Sequence, residues 1–113
     1  MRAIPKRLLI HWAKVYGEEG GDWSGGEPKL LGVLEHIRAE PESRVVRDKN
    51  NRELKLSAVL FFDCKNSRST AGEPKEDMIL ELLGERFRVV SVEPFFDESG
   101  LHHYELGLAR YAG

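Results

Sequence analysis

The chain has 113 residues, of which 41% are hydrophobic and 32% charged, and its formal net charge is −2. This composition is typical of one small soluble domain, residues 1–113, and argues against a disordered or membrane-spanning chain. Because a duplex-binding module usually carries a basic excess, the charge gives no support for DNA binding. The single cysteine, Cys64, excludes an internal disulfide and indicates synthesis in a reducing compartment.

The first predicted strand covers residues 7–16, RLLIHWAKVY. Its alternate positions are apolar on both faces, with Leu8, Ile10 and Trp12 on one face and Leu9, Ala13 and Val15 on the other. A strand that is apolar on both faces is usually covered on both sides. The pattern therefore predicts a central strand or one that is covered twice.

Two loops of 13 residues are predicted, at 17–29 and 65–77. The first has five glycines and a proline, is acidic, and offers Trp23 as its apolar anchor. The second has no large apolar residue. Loops of this length in a small domain are uncommon unless they are mobile or functional.

Residues 30–40 are ambiguous between helix and strand. Leu30, Val33, Leu34 and Ile37 follow the helical spacing, and Pro28 and Pro41 bracket the segment. Gly32 disfavours a helix, and the same residues also alternate as a strand would. Periodicity alone slightly favours helix.

Residues 44–55 are basic and read as a hairpin, with a short extended piece at Val45–Val46 and a turn at 49–52. The segment holds Arg44, Arg47, Lys49, Arg52 and Lys55. Two interpretations of these charges stay open. They belong to solvated loops, or they form a basic patch that docks on the acidic 17–27 region of another subunit. Residues 53–64 predict one long, bent strand of roughly 35–40 Å that enters exposed and ends covered on both sides.

Residues 78–111 predict a three-stranded meander. Its turns are 83–85 and 97–100, and the second ends in Gly100. Pro94 cannot donate to a ladder, so its strand is at an edge, bulged or ending there. In the last strand, Tyr104, Leu106 and Leu108 share one face. With the preceding strands, the count of six or seven strands at short spacing with two long loops predicts an all-β chain, built as a small barrel or a sandwich.

No catalytic, cofactor-binding or metal-binding pattern is present, so we expect no enzyme activity and no cofactor. His102 and His103 are adjacent and should point to opposite faces of a strand, which makes shared metal ligation difficult. Cys64 has no partner histidine placed by the sequence. The aromatic side chains are interpreted as core, although aromatics on a small barrel can also stack on bases: Phe61, Phe62, Phe95, Phe96 and Tyr104.

An ordered set of segments resembles the minor capsid proteins of tailed phages and prophages of Gram-positive bacteria. These segments are RLLIH (7–11), RVVRDKNNRE (44–53), LFFDCKNS (60–67), FRVVSVEP (87–94) and LHHYELGL (101–108). The resemblance extends from about residue 4 to residue 110, and the family is similar to head-completion, or stopper, proteins. It implies an all-β fold, a small β-barrel of six to seven mostly antiparallel strands with two long loops, and an extended segment at 33–40.

The resemblance further implies a structural role at the head–tail junction of the virion, for a protein made in the bacterial cytoplasm. The expected partners are a portal or adaptor protein, a tail-side protein and other copies in a ring, with non-specific contact to packaged DNA at most and no membrane. The two long loops are expected to mediate ring assembly or plugging. The expected interaction residues are Trp23, Arg44, Arg47, Lys49, Arg52, Lys65 and Arg68. The alternative is a nucleic-acid-binding barrel, which should show a basic face and salt-dependent DNA affinity.

Overall fold

A computed structural model of the chain describes residues 2–17, 29–47 and 50–111. A single 3-10 turn, Lys6–Leu8, precedes the strands of this part of the chain. The strands are β1 (His11–Tyr16), β2 (Leu30–Pro41), β3 (Val45–Arg47), β4 (Glu53–Lys55), β5 (Ala58–Asp63), β6 (Arg68–Ser69), β7 (Ile79–Leu82), β8 (Glu85–Asp97) and β9 (Gly100–Arg110).

Six strands form a closed antiparallel barrel in the order β1-β7-β8-β9-β5-β2, and pairing of β2 with β1 closes it. The short β6 adds to β2, while β3 and β4 form a separate hairpin. The prediction of a small all-β barrel is therefore confirmed. The meander is confirmed as β7-β8-β9, and it supplies half of the barrel strands.

The barrel interior is filled by alternate side chains from every barrel strand. Leu60, Leu80 and Leu106 are fully buried there, as the alternation in their strands predicts. A second, smaller cluster of Leu56, Val59 and Val90 lies on the outer face, where the β3–β4 hairpin covers it. Gly107 leaves room for this cover, because a Cβ there would come within 3.1 Å of Leu56 Cδ2 and closer still to Ser91 Oγ.

The ambiguous segment 30–40 is a strand, as the resemblance implied. His36 is an extra residue in the ladder with β1, since Ile37 pairs with His11 and Glu35 with Trp12. This bulge, with φ of 55° at His36, lets Leu34 and Ile37 both enter the core although they are three positions apart. A bulge in a strand thus produced the helix-like spacing of the sequence.

The prediction of one continuous strand over 53–64 is wrong. The chain breaks at Leu56–Ser57, so that β4 belongs to the outer hairpin and β5 to the barrel. Leu56 consequently packs outside, with Val59, rather than on the face of Leu60. The expectation that the strand ends covered on both sides is confirmed for β5, in which Val59 and Leu60 are both buried.

The loop 65–77 is attached to the barrel rather than free. β6 pairs with β2, and Thr70 N–H donates to Val33 O at 2.9 Å while Val33 N–H donates to Thr70 Oγ1 at 2.9 Å. Gly32 permits this close approach, since a Cβ on it would lie 2.8 Å from the Thr70 carbonyl carbon. Most of the other predicted loop, together with Trp23, lies outside the described residues.

Candidate interaction surfaces

The expected interaction residues fall into two separate regions. Arg44, Arg47 and Arg52 lie on or beside the β3–β4 hairpin, whereas Lys65 and Arg68 lie in the 65–77 segment; Trp23 and Lys49 lie outside the described residues. The Arg44 guanidinium is 3.7 Å from Glu93 Oε1, and Arg47 Nη1 donates to Asn51 O at 3.1 Å. Both contacts lie at the surface, where such interactions contribute little to stability.

The sequence predicted a central strand or one that is covered twice at 7–16. β1 is central, since it pairs with both β2 and β7, but an exposed apolar surface lies on one of its faces. Only the face of Ala13 and Val15 is buried, and on the other face Ile10 and Trp12 are 64% and 58% exposed. These two side chains line an open groove of about 360 Å³, called here the β1 groove, with His11, Lys14, Glu81, Leu83 and Gly84. The alternation showed that both faces are apolar, but it could not show that one of them lacks a covering partner among residues 2–17, 29–47 and 50–111.

Leu83 lies at the rim of the β1 groove, where both its exposure and its backbone conformation are unfavourable for a leucine. It is 74% exposed and has a φ of 53°, in a two-residue turn whose second residue, Gly84, has a φ of 78°. Two positive φ values define a type I′ turn, in which Asn or Gly is preferred at the first position. A leucine here is mostly exposed and strains the backbone, so the packing of the described residues does not explain it.

The β8–β9 hairpin projects beyond the barrel as an arm, residues 96–102. β7 pairs with β8 only as far as Arg88, and β5 pairs with β9 only as far as His103. Phe96 is 65% exposed, and its cross-strand partner is Leu101. The prediction that Phe95 and Phe96 belong to the core is therefore wrong, because their strand continues past the end of the barrel.

The arm ends in an ordered acidic turn. Ser99 N–H donates to Asp97 Oδ1 at 2.7 Å, and this hydrogen bond lowers the pKa of the Asp97 carboxyl. Glu98 follows Asp97 at the same tip and is exposed. The arm therefore presents an exposed aromatic ring beside carboxylates.

The two adjacent histidines are in contact, which corrects the expectation that they point to opposite faces. His102 is an extra residue between the pairs Phe96–Leu101 and Phe95–His103, and this bulge brings the two rings together with Nδ1 atoms 2.8 Å apart. His102 Nε2 donates to Arg2 O at 2.5 Å, and His103 Nε2 lies 3.1 Å from Glu105 Oε2, so one of the two facing Nδ1 atoms donates to the other. His103 also stacks on Phe95 with centroids 4.8 Å apart.

A buried carboxylate holds the first residues of the chain against the base of the arm. Asp63 is fully buried, and it accepts hydrogen bonds from the backbone N–H groups of Ile4, Lys65 and Asn66 at 2.9, 3.1 and 2.8 Å. Asn66 Nδ2 in turn donates to Ile4 O at 2.7 Å. Sequence reasoning missed this role, because a single Asp before a turn is common and its distant partner at residue 4 leaves no local pattern.

Cys64 is exposed, but its surroundings do not activate it. Partial burial of the sulfur, and the nearby charges of Asp63 and Glu73, raise the pKa of the thiol. Within the described ranges, no group of three or more His, Cys, Asp or Glu side chains is placed to hold a metal ion.

Comparisons with known proteins add one finding. A family model described as minor capsid protein matches residues 5–108. Comparison with curated proteins gave no match, and neither did comparison with solved structures. In the part of the chain that is described, no helix has the length and apolar character needed to cross a membrane.

Proposed function

The chain belongs to the minor capsid protein family, and from this premise we propose that it is a structural subunit of the phage head–tail connector. In this proposal, residues 1–113 act as one domain. Copies form a ring below the portal and its adaptor, close the DNA-filled head, and present the docking surface for the tail. The protein is made in the host cytoplasm and resides at the head–tail junction of the virion.

The proposal is carried by one combined observation. The chain belongs to this family, and its closed barrel leaves large apolar side chains exposed. Trp12 and Phe96 are each more than half exposed, although both belong to strands of a well-packed protein. Exposed apolar patches on soluble proteins mark contacts with other proteins. A structural subunit needs such contact surfaces on a rigid body, and it needs no reaction centre.

The charge distribution supports at most non-specific contact with packaged DNA. On the outer face of β1, β7 and β8, basic side chains alternate with acidic ones, as in the ion pairs Lys14–Glu81 and Arg86–Glu81. Arg88–Asp77 and Arg110–Glu85 continue this mixed pattern. A stand-alone nucleic-acid-binding barrel requires a continuous basic face, which these pairs interrupt.

The proposal is tested in phage particles made without this protein. We expect heads that package DNA and then lose it, together with separate tails, when lysates are viewed by electron microscopy. Supplying the protein in trans should restore tailed particles. Tailed, DNA-retaining particles that form in its absence would contradict the proposal, as would labelling of the purified virion at any position other than the head–tail junction.

A further inference from the structure

The geometry points to a specific contact between neighbouring copies: we propose that the arm tip of one copy, anchored by Phe96, seats in the β1 groove of the next. This contact rests on the proposed function, because it is meant to connect the subunits of the ring. It assigns both surfaces to a second copy of this chain.

The two surfaces lie at opposite ends of the same strand. The β1 groove is bordered by the Leu83–Gly84 turn immediately before β8, and Phe96 lies near the far end of β8. Glu85 and Phe96 are eleven positions apart on this strand, which corresponds to about 35 Å of extended chain. One copy therefore cannot seat its own arm, and a contact between the two surfaces is head-to-tail, as a ring requires.

Each of the two surfaces carries an aromatic residue and a charged residue two positions further along the sequence. The charge is positive on one surface and negative on the other. On β1, Trp12 and Lys14 are two positions apart and both line the groove. On the arm, Phe96 and Glu98 are also two positions apart, with Glu98 at the turn. The Lys14 ammonium lies 4.0 Å from Glu81, a weak pairing that leaves capacity for a second carboxylate, since Glu81 also has Arg86 at 3.6 Å.

The arm is suited to side-chain insertion rather than to backbone pairing. Beyond Val89, β8 has a described strand partner on one side only, which is β9. Pro94 lies on this stretch and has no N–H to offer a further strand. An aromatic anchor in an apolar groove is the usual centre of a protein–protein contact, and it leaves the barrel of each copy unchanged.

The unfavourable Leu83 also fits this contact. A leucine side chain on the rim gains burial only when another surface covers the groove, and this gain offsets the strain of its positive φ. An uncovered groove gives Leu83 no such compensation. The residue is therefore explained by the assembled state.

Cysteine cross-linking tests the contact in purified protein at high concentration and in assembled particles. The variant C64S/K14C/E98C carries one cysteine beside the groove and one on the arm tip, and mild oxidation should produce a ladder of covalent oligomers on a denaturing gel. The control C64S/K14C/R47C, with the second cysteine on the β3–β4 hairpin, should form such species about tenfold more slowly. Absence of the ladder, or dimers only, would overturn the proposal.

Charge reversal gives an independent test in particles. K14E and E98K should each lower the yield of tailed particles, and the double variant K14E/E98K should recover it, because the pair is restored with opposite orientation. A double variant that is no better than the single ones would overturn the contact. Circular dichroism and thermal melting of each variant verify that the barrel is folded.

The outcome also separates this inference from the proposed function. If particles require the protein but incorporate F96A at the normal level and remain tailed, the connector role stands and the arm–groove contact is wrong. If F96A is lost from particles while W12A is incorporated normally, the arm binds a different protein and the contact is again wrong. Equal loss of F96A and W12A, with a covalent ladder, is the expected result.

Discussion

At the scale of single residues, the main stabilising feature outside the core is the buried carboxylate of Asp63. Its two oxygens accept three backbone N–H groups, from residue 4 and from the turn that follows β5. Hydrogen bonds to a charged group are stronger than neutral ones, and a donor that loses its partner keeps its desolvation cost. Removing this side chain should therefore affect the whole fold and not only the turn.

Asp63→Ala should lower the free energy of unfolding by about 2–5 kcal/mol. Asp63→Asn should lower the free energy of unfolding by a smaller amount, since its amide oxygen can still accept while its amide nitrogen would face an N–H donor. Urea unfolding followed by fluorescence measures both, and the surface variant Glu76→Ala serves as a control that should leave the midpoint unchanged. Hydrogen exchange at the Ile4 amide should accelerate in Asp63→Ala. A stable Asp63→Ala with a protected Ile4 amide would contradict this role.

The Cys64 thiol should react slowly despite its exposure. Because its pKa is raised, a smaller fraction is thiolate at neutral pH than for an unperturbed cysteine, and the thiolate is the reacting form. The rate of reaction with an aromatic disulfide reagent at pH 7.5 should be below that of the urea-unfolded protein. Glu73→Gln should increase the rate, because it removes one of the charges that disfavour the thiolate. A rate above that of the unfolded chain would contradict the raised pKa.

At the scale of elements, alternation of apolar residues predicted most strands, and it failed where the chain bulges or breaks. The meander was predictable because turn residues and period-two patterns agree at 83–85 and 97–100. The helix-like spacing at 30–40 comes from the bulge at His36, and the break at 56–57 separates β4 from β5. Both depend on long-range pairing, which no local pattern encodes.

The Leu83–Gly84 turn provides a prediction at this scale. Leu83→Asn places a residue that tolerates positive φ in a type I′ turn, and it should stabilise the isolated protein by about 0.5–1 kcal/mol. The same change should reduce incorporation into particles, because the rim of the groove loses its apolar side chain. Thermal melting measures the first effect and particle composition the second. A destabilised isolated protein would show that Leu83 is packed within its own chain.

At the scale of the whole molecule, the sequence predicted a barrel but not which of its surfaces remain uncovered. Trp12 and Phe96 both belong to alternating apolar strands, and alternation records only that a face is apolar. Whether the chain or another molecule covers that face depends on how the strands close, and on how far β8 and β9 extend past their neighbours. The segment 65–77, predicted as a loop, is attached to β2. Deleting Ser69–Glu73 to test the role of this segment in assembly would therefore also remove structural contacts. Point variants test the segment better.

The balanced charge of the whole molecule predicts weak DNA binding. The isolated protein should show no measurable affinity for a short duplex at about 150 mM salt, because few phosphates would be neutralised. Fluorescence anisotropy across a salt series measures this, with a basic barrel protein as the positive control. Tight binding that falls steeply with salt would favour the nucleic-acid-binding alternative.

Pro94 also affects whether the free protein can remain unaggregated before it is assembled. Before a structural subunit is incorporated into a particle it is present as free protein, and an open strand edge then invites irreversible stacking of copies. The barrel closes its own edges through β1 and β2, and Pro94 interrupts the exposed side of β8. We therefore expect the free subunit to resist fibre formation at high concentration, so that its assembly depends on its partners rather than on its own aggregation.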